Sequence, residues 1–122
     1  MAVQLGDTFL FGPGSHLWIV ISDPAKNNGE FVIVNLTTDV FRAGKDCEMN
    51  VSEHQWIRQK CYVSFGDARK VTAKEAARIQ QLISQNQIQQ HFPMRTAVIK
   101  KIVASGINSK ALATELKALL KT

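Results

Sequence analysis

From Asp7 to Leu36 the apolar residues fall into short runs divided by turn chemistry. Asp7-Thr8-Phe9-Leu10-Phe11 alternates ahead of Gly12-Pro13-Gly14, which predicts a first strand and a tight loop. Leu17 to Ser22 is a β-branched, aromatic-containing run that stops at Asp23-Pro24, because proline lacks the donor a ladder needs. The loop Ala25-Lys26-Asn27-Asn28-Gly29 holds an Asn-Gly pair suited to positive φ, and Phe31 to Leu36 returns as another strand-like run. These two runs predict an antiparallel hairpin. Their continuous apolarity predicts strands that are covered on both faces or strongly curved.

Asp39 to Glu53 is polar and shows no period. Trp56-Ile57 then supplies an apolar anchor, and Lys60 to Phe65 alternates, with Cys61, Val63 and Phe65 on one face and Lys60, Tyr62 and Ser64 on the other. A turn at Gly66-Asp67 would let Arg69-Lys70-Val71 extend the pairing. At Thr72 the period changes to that of a helix: Thr72-Ala73-Lys74-Glu75 reads as a capping box, and Ala76, Ile79, Leu82 and Ile83 keep helical spacing to about Ser84. The later part of the Gln80 to Gln90 tract reads as a frayed helix end or linker. Pro93, as a first helical residue, predicts a second helix with Val98, Ile102 and Val103 inward, ending near Gly106. Asn108 or Ser109 caps a third, with the stripe Leu112, Leu116, Leu119 and Leu120. That stripe either docks on the strands or buries itself against a second chain.

Strands followed by helices imply an α+β fold: a small antiparallel β-barrel of five to six strands with C-terminal helices. The expected division is residues 1–86 for the barrel and its following helix, and 87–122 for a helical extension. A chain of 122 residues suits one core. No window approaches ~18 consecutive apolar residues, and MAVQLGDT lacks the basic and apolar segments of a signal peptide, so the expectation is a cytoplasmic protein with no membrane partner. Cys47 and Cys61 are too few for a disulfide framework and are expected as reduced thiols.

Charge divides the chain unevenly. Residues 1–54 carry 3 basic and 7 acidic side chains, and residues 55–122 carry 12 basic and 3 acidic. The second half can attract an anionic partner or the first half, or can simply present the solvated faces of lysine-bearing helices.

Gly6-Asp7 opening the first strand, then HLWIVIS, an Asn-containing loop, VIVNLTT and CYVSFGDARKVTAKEAARI resemble the MazF/PemK/Kid family of mRNA interferase toxins over roughly residues 5–85. The resemblance implies an SH3-like barrel with a following helix, commonly a homodimer. It also implies metal-free, sequence-selective cleavage of single-stranded RNA, with a protein antitoxin as partner. Thr37 and Thr38 match the family's strand-end Thr-Ser pair, Asp67 its later aspartate and Arg69 the basic residue beyond. His16-Leu17-Trp18 stands where the family has an Arg-Pro-aliphatic pattern, and Phe65 where some members carry a catalytic arginine.

Metal-free RNA cleavage needs a base for the 2′-hydroxyl proton, donors for the phosphorane charge and an acid for the leaving 5′-oxygen. Histidine suits either proton-transfer role. The candidate catalytic residues are therefore His16 as proton-transfer group, Thr37 and Thr38 as phosphate or transition-state donors, and Asp67 as an orienting or recognition group. A loop centred near Asn27-Asn28 would set His16 opposite a residue near Phe41, leaving the threonines a few residues away along the hairpin. Arg58, Lys60, Arg69 and Lys70 are candidate phosphate contacts, with Trp56 as a base-stacking group or a barrel plug. His54 is an additional candidate.

Each has a plainer role: a strand-edge histidine, β-branched strand residues, an Asx turn at Asp67 and a loop-capping His54. Cys47, His54 and Cys61 lack the tight paired spacing of a zinc site, and no nucleotide-binding glycine loop or Gly-x-Ser-x-Gly motif is present, so neither metal nor cofactor is expected. The rival to a nuclease is a non-catalytic SH3-like module that binds a protein or nucleic acid. A third arrangement has the helical tail covering the RNA groove as a built-in antitoxin.

Overall fold

The computed structural model describes residues 3–11 and 16–121. The expected Gly12-Pro13-Gly14 turn lies outside them. The fold is α+β: β1 (Thr8–Leu10), β2 (Leu17–Val20), β3 (Phe31–Thr37), α1 (Val40–Ala43), β4 (Glu48–Met49), β5 (Cys61–Val71), α2 (Ala73–Ser84), β6 (Gln89–His91), α3 (Thr96–Asn108) and α4 (Thr114–Leu120). The strands form one antiparallel sheet in the order β4-β5-β3-β2-β1-β6.

The predicted hairpin forms, with its turn centred one residue earlier than Asn27-Asn28. Asp23 accepts from the backbone N–H of Ala25 ahead of a 3-10 turn at Pro24–Lys26, and Gly29, at φ +84°, donates back to the Pro24 carbonyl. Trp18 consequently pairs with Asn35. Continuing that register sets His16 opposite Thr37, rather than near Phe41.

β3 is buried throughout because it is central. Val32, Val34 and Leu36 join Leu17, Ile19, Val63 and Phe65 in the larger core cluster, while Phe31 and Ile33 join Trp18, Val20 and Val71 in a second cluster on the other face. The apolar side of α2 packs on this second cluster through Ala76, Ile79, Leu82 and Ile83, and its capping box forms as predicted.

The structure corrects several expectations. β5 has no turn at Gly66-Asp67: it runs unbroken, and Phe65, Gly66, Asp67 and Ala68 stand against Val34 alone between the pairs Asn35–Ser64 and Ile33–Arg69. The surplus is absorbed as a bulge that projects Asp67 from the ladder. The irregular segment 39–53 contains α1, capped by Asp39, and the short strand β4. The Gln tract does not simply fray. Asn86, at φ +60°, turns the chain back, Ile88 is buried, and Gln89–His91 takes up the hydrogen-bonding edge of β1 as β6.

Pro93 does not start a helix; Met94 donates to the Gly6 carbonyl in extended chain, and α3 begins at Thr96 with no side-chain cap. α3 also passes through Gly106 to Asn108. Gly106 serves close packing there, since a Cβ would lie 3.0 Å from Phe65 Cε1. Neither Asn108 nor Ser109 caps α4, whose N-cap is Ala113; the Ser109 hydroxyl instead bonds Asp46 at 2.6 Å.

The leucine stripe docks on the sheet. Met94, Val98, Ile99, Ile102, Leu112 and Leu120 belong to the larger core cluster, with Leu116 and Leu119 packed against it. α3 and α4 therefore cover the face opposite Asn35 and Ser64, and do not cover the His16 side as a built-in antitoxin would. Among the described residues no helix is long and apolar enough to cross a membrane.

Candidate catalytic cluster and adjoining cleft

The face of β3 that begins with Phe31 and Ile33 turns polar at Asn35 and Thr37. Asn35 is paired with Ser64, and both are buried, at 2% and 1% exposure. Ser64 Oγ donates to Asp67 Oδ2 at 2.7 Å, and Arg42 Nε donates to the same oxygen at 3.0 Å. α1 makes this possible: Asp39 Oδ1 accepts from the N–H groups of Phe41 and Arg42, fixing a four-residue turn against β5 that carries Arg42.

The Arg42 hydrogen bond is the main reason the Asp67 carboxyl is held below the usual carboxylate range, aided by Ser64 and, when its ring is protonated, by nearby His16. Asp67 thus stays ionised and positions the guanidinium. Nε is the atom used, and the guanidinium, half-exposed, has further N–H donors with which to meet an anion.

His16 joins the cluster through register. Its Nδ1 lies 3.1 Å from the Leu36 carbonyl oxygen. A carbonyl only accepts, so Nδ1 carries the proton in this contact and the lone pair of the neutral ring lies on Nε2. Thr37, 8% exposed, accepts from the Asp39 N–H at 3.1 Å, which leaves its own hydroxyl proton to donate elsewhere. Thr38, just beyond the end of β3, is exposed and lines the cleft of Trp56 instead. The matched threonine pair is therefore split.

Asn35 adds a further mark. Its Oδ1 is buried without a hydrogen-bond partner among the described residues. Such an atom costs about 1–3 kcal/mol, a penalty that natural sequences concentrate where function requires it.

His54 does not join this cluster. It is 7% exposed; its Nδ1 accepts from the Trp56 N–H at 3.0 Å, so Nε2 donates to the Phe92 carbonyl at 2.6 Å. Thr8 Oγ1 donates to that same carbonyl, so His54 ties the 50–57 loop to β1 and the end of β6. Its ring is occupied on both sides by the backbone.

The basic candidates do not form one patch. Arg58 and Lys60 lie just ahead of β5, where Lys60 approaches Glu48 at 3.6 Å. Arg69 and Lys70 lie at its far end. There Lys70 approaches Glu30 at 3.9 Å, and the Arg69 guanidinium sits 5.3 Å from the Trp18 ring, which stacks on Phe11. The far pair borders a groove of about 240 Å³ beside α2 that also contains Arg78.

Trp56, half-buried, packs against the larger core and also lines a cleft of about 540 Å³ with Thr38, Arg58 and Phe92. Cys61 borders this cleft. Its thiol is pushed up to about 11, chiefly by burial, and stays protonated. Among the described residues no group of three or more His, Cys, Asp or Glu side chains is placed to hold a metal ion.

Arg42, Asn35 and Ser64 escaped sequence reasoning. The one available signal was Asp39, a helix-capping residue placed three before Arg42. Comparison with family models, curated proteins and solved structures finds no significant match in any of the three.

Proposed function

We propose that the chain is a metal-independent endonuclease of single-stranded RNA, built on an SH3-like barrel and akin to the MazF/PemK/Kid mRNA interferases. The observation that carries the reading is the hairpin register, which sets His16 against Thr37 in one cluster with Arg42, Ser64 and Asp67.

The roles follow from the hydrogen bonds. With Nδ1 held by the Leu36 carbonyl, His16 Nε2 accepts the 2′-hydroxyl proton as the 2′-oxygen attacks phosphorus. The bond from phosphorus to the 5′-oxygen breaks, a 2′,3′-cyclic phosphate forms, and the 5′-oxygen takes its proton from solvent water. Arg42 and the Thr37 hydroxyl meet the charge that gathers on the phosphoryl oxygens. Asp67 orients Arg42 and does not transfer protons. Arg42 supplies from α1 the guanidinium that the resembled family carries at other positions, where this chain has His16 and Phe65.

The metal-free reading rests on the donor set. The cluster's carboxylate already accepts two hydrogen bonds on Oδ2, an arrangement suited to holding a guanidinium. Cytoplasmic action, a protein antitoxin and a homodimer are the setting this reading implies.

The test is incubation of a long single-stranded RNA with purified protein in EDTA, with the product ends analysed. The expected products end in 2′,3′-cyclic phosphate, and Arg42→Ala slows their formation by about 100-fold or more. Intact RNA that nevertheless binds in a salt-sensitive way would favour the non-catalytic module instead.

A further inference from the structure

The 540 Å³ cleft has a composition of its own. It opens beside Thr38, one residue beyond Thr37 of the catalytic cluster, and its volume falls within the range of small-ligand sites. Two aromatic residues border it: Trp56, anchored by packing on the core, and Phe92, left 64% exposed although large and apolar. Gln55 and Gln59 supply primary amides and Arg58 a guanidinium, all three exposed. No Asp or Glu is among its lining residues. His91, at its edge, has a buried Nε2 with no hydrogen-bond partner among the described residues.

Planar rings, amides that pair with a heterocycle's edge, a cation and no opposing carboxylate are the features that bind a nucleotide. We propose that this cleft holds the nucleotide next to the cleaved phosphodiester. Its base is gripped by Trp56 and Phe92 and read by Gln55 and Gln59, and its phosphate is met by Arg58. The inference rests on the endonuclease reading and deepens it, since it makes the cleft the place where the cleavage sequence is chosen. The end of β3 is what joins the two functions: Thr37, its last residue, belongs to the cluster and Thr38, just beyond it, borders the cleft, so a strand crossing the end of β3 engages both.

The test is a two-dimensional NMR titration of the full chain with AMP, GMP, CMP and UMP in turn, followed by a short single-stranded RNA. The protein has 2 tryptophans, and Trp18, buried on the sheet face, serves as internal reference for the Trp56 indole signal. The expected result is a saturable shift of Trp56 for one base above the others, weakened about tenfold by Arg58→Gln and by Gln59→Ala. Both substitutions are at exposed positions; Gln59→Ala is expected to change which sequences are cut, and Arg58→Gln to weaken all of them alike.

The RNA is expected to bind at least about tenfold more tightly than the mononucleotide, because it spans cleft and cluster. No Trp56 shift with any nucleotide, or a shift indifferent to both variants, overturns the proposal. Equal affinity for RNA and mononucleotide overturns it in favour of a free-nucleotide site. A normal titration with RNA left uncut defeats the endonuclease reading while the nucleotide site stands, so the two failures are told apart.

Discussion

The two faces of β3 are built from one seven-residue strand and come to different ends. On one face Val32, Val34 and Leu36 keep an apolar row along its length, closed by α3 and α4. On the other the row begins as Phe31 and Ile33 under α2, then changes to Asn35 and Thr37. Both faces are dehydrated. The first pairs burial with apolar chemistry along its whole length, and the second also buries polar groups, one of them without a partner among the described residues. The contrast separates what holds the fold together from what the fold holds in place.

The closed face is the one to break for stability. Ile102→Ala removes a fully buried side chain and is expected to cost about 3 kcal/mol, seen as a lower urea midpoint. A negligible change would mean that α3 is not part of the core. Gly106→Ala gains helix propensity but drives a methyl group against Phe65, Leu112 and Leu120; a net loss of about 1–2 kcal/mol is expected.

The polar face should respond in the opposite sense. Asn35→Leu removes a buried oxygen that has no partner among the described residues, so stability should hold or rise by up to about 1 kcal/mol while RNA cleavage falls. A large loss of stability would make Asn35 an ordinary core residue.

A smaller effect is expected with pH. The Asp67 carboxyl is depressed, first by the Arg42 hydrogen bond, so its stabilising contribution is present above the ordinary carboxylate value and is lost as pH falls through the depressed one. The stability difference between wild type and Asp67→Asn should therefore shrink in acid. A difference that stays constant there would remove the ion pair from the account. Smallest of all, native Cys61 should not react with a thiol reagent at pH 8, because burial holds its thiol near 11.

Local chemistry made much of this legible in the sequence. The β-branched runs of β2 and β3 and the capping box of α2 act within a few residues, and each forms where its pattern places it. Elements made by distant partners were hidden. β6 exists because β1 had an edge to pair, and α1 exists because Asp39 caps a turn too short to show a period. The site divides in the same way. His16, Thr37 and Asp67 were visible as residue types in suggestive places, whereas Arg42 enters only through α1. The register uniting them depended on a turn that begins at Pro24, ahead of the Asn-Gly pair.

The assignment of chemistry to the polar face is tested most directly by replacing two of the three histidines, His16 and His54, and measuring both cleavage and folding. His16, held on one nitrogen, and His54, held on both, should respond in opposite ways. In EDTA, His16→Ala is predicted to retain the wild-type unfolding midpoint and lose about 100-fold or more in single-stranded RNA cleavage. His54→Ala is predicted to lose about 1–3 kcal/mol of stability yet cleave normally per folded molecule. Cleavage that survives His16→Ala, or that vanishes in folded His54→Ala, would contradict the assignment of the chemistry to the polar half of the sheet.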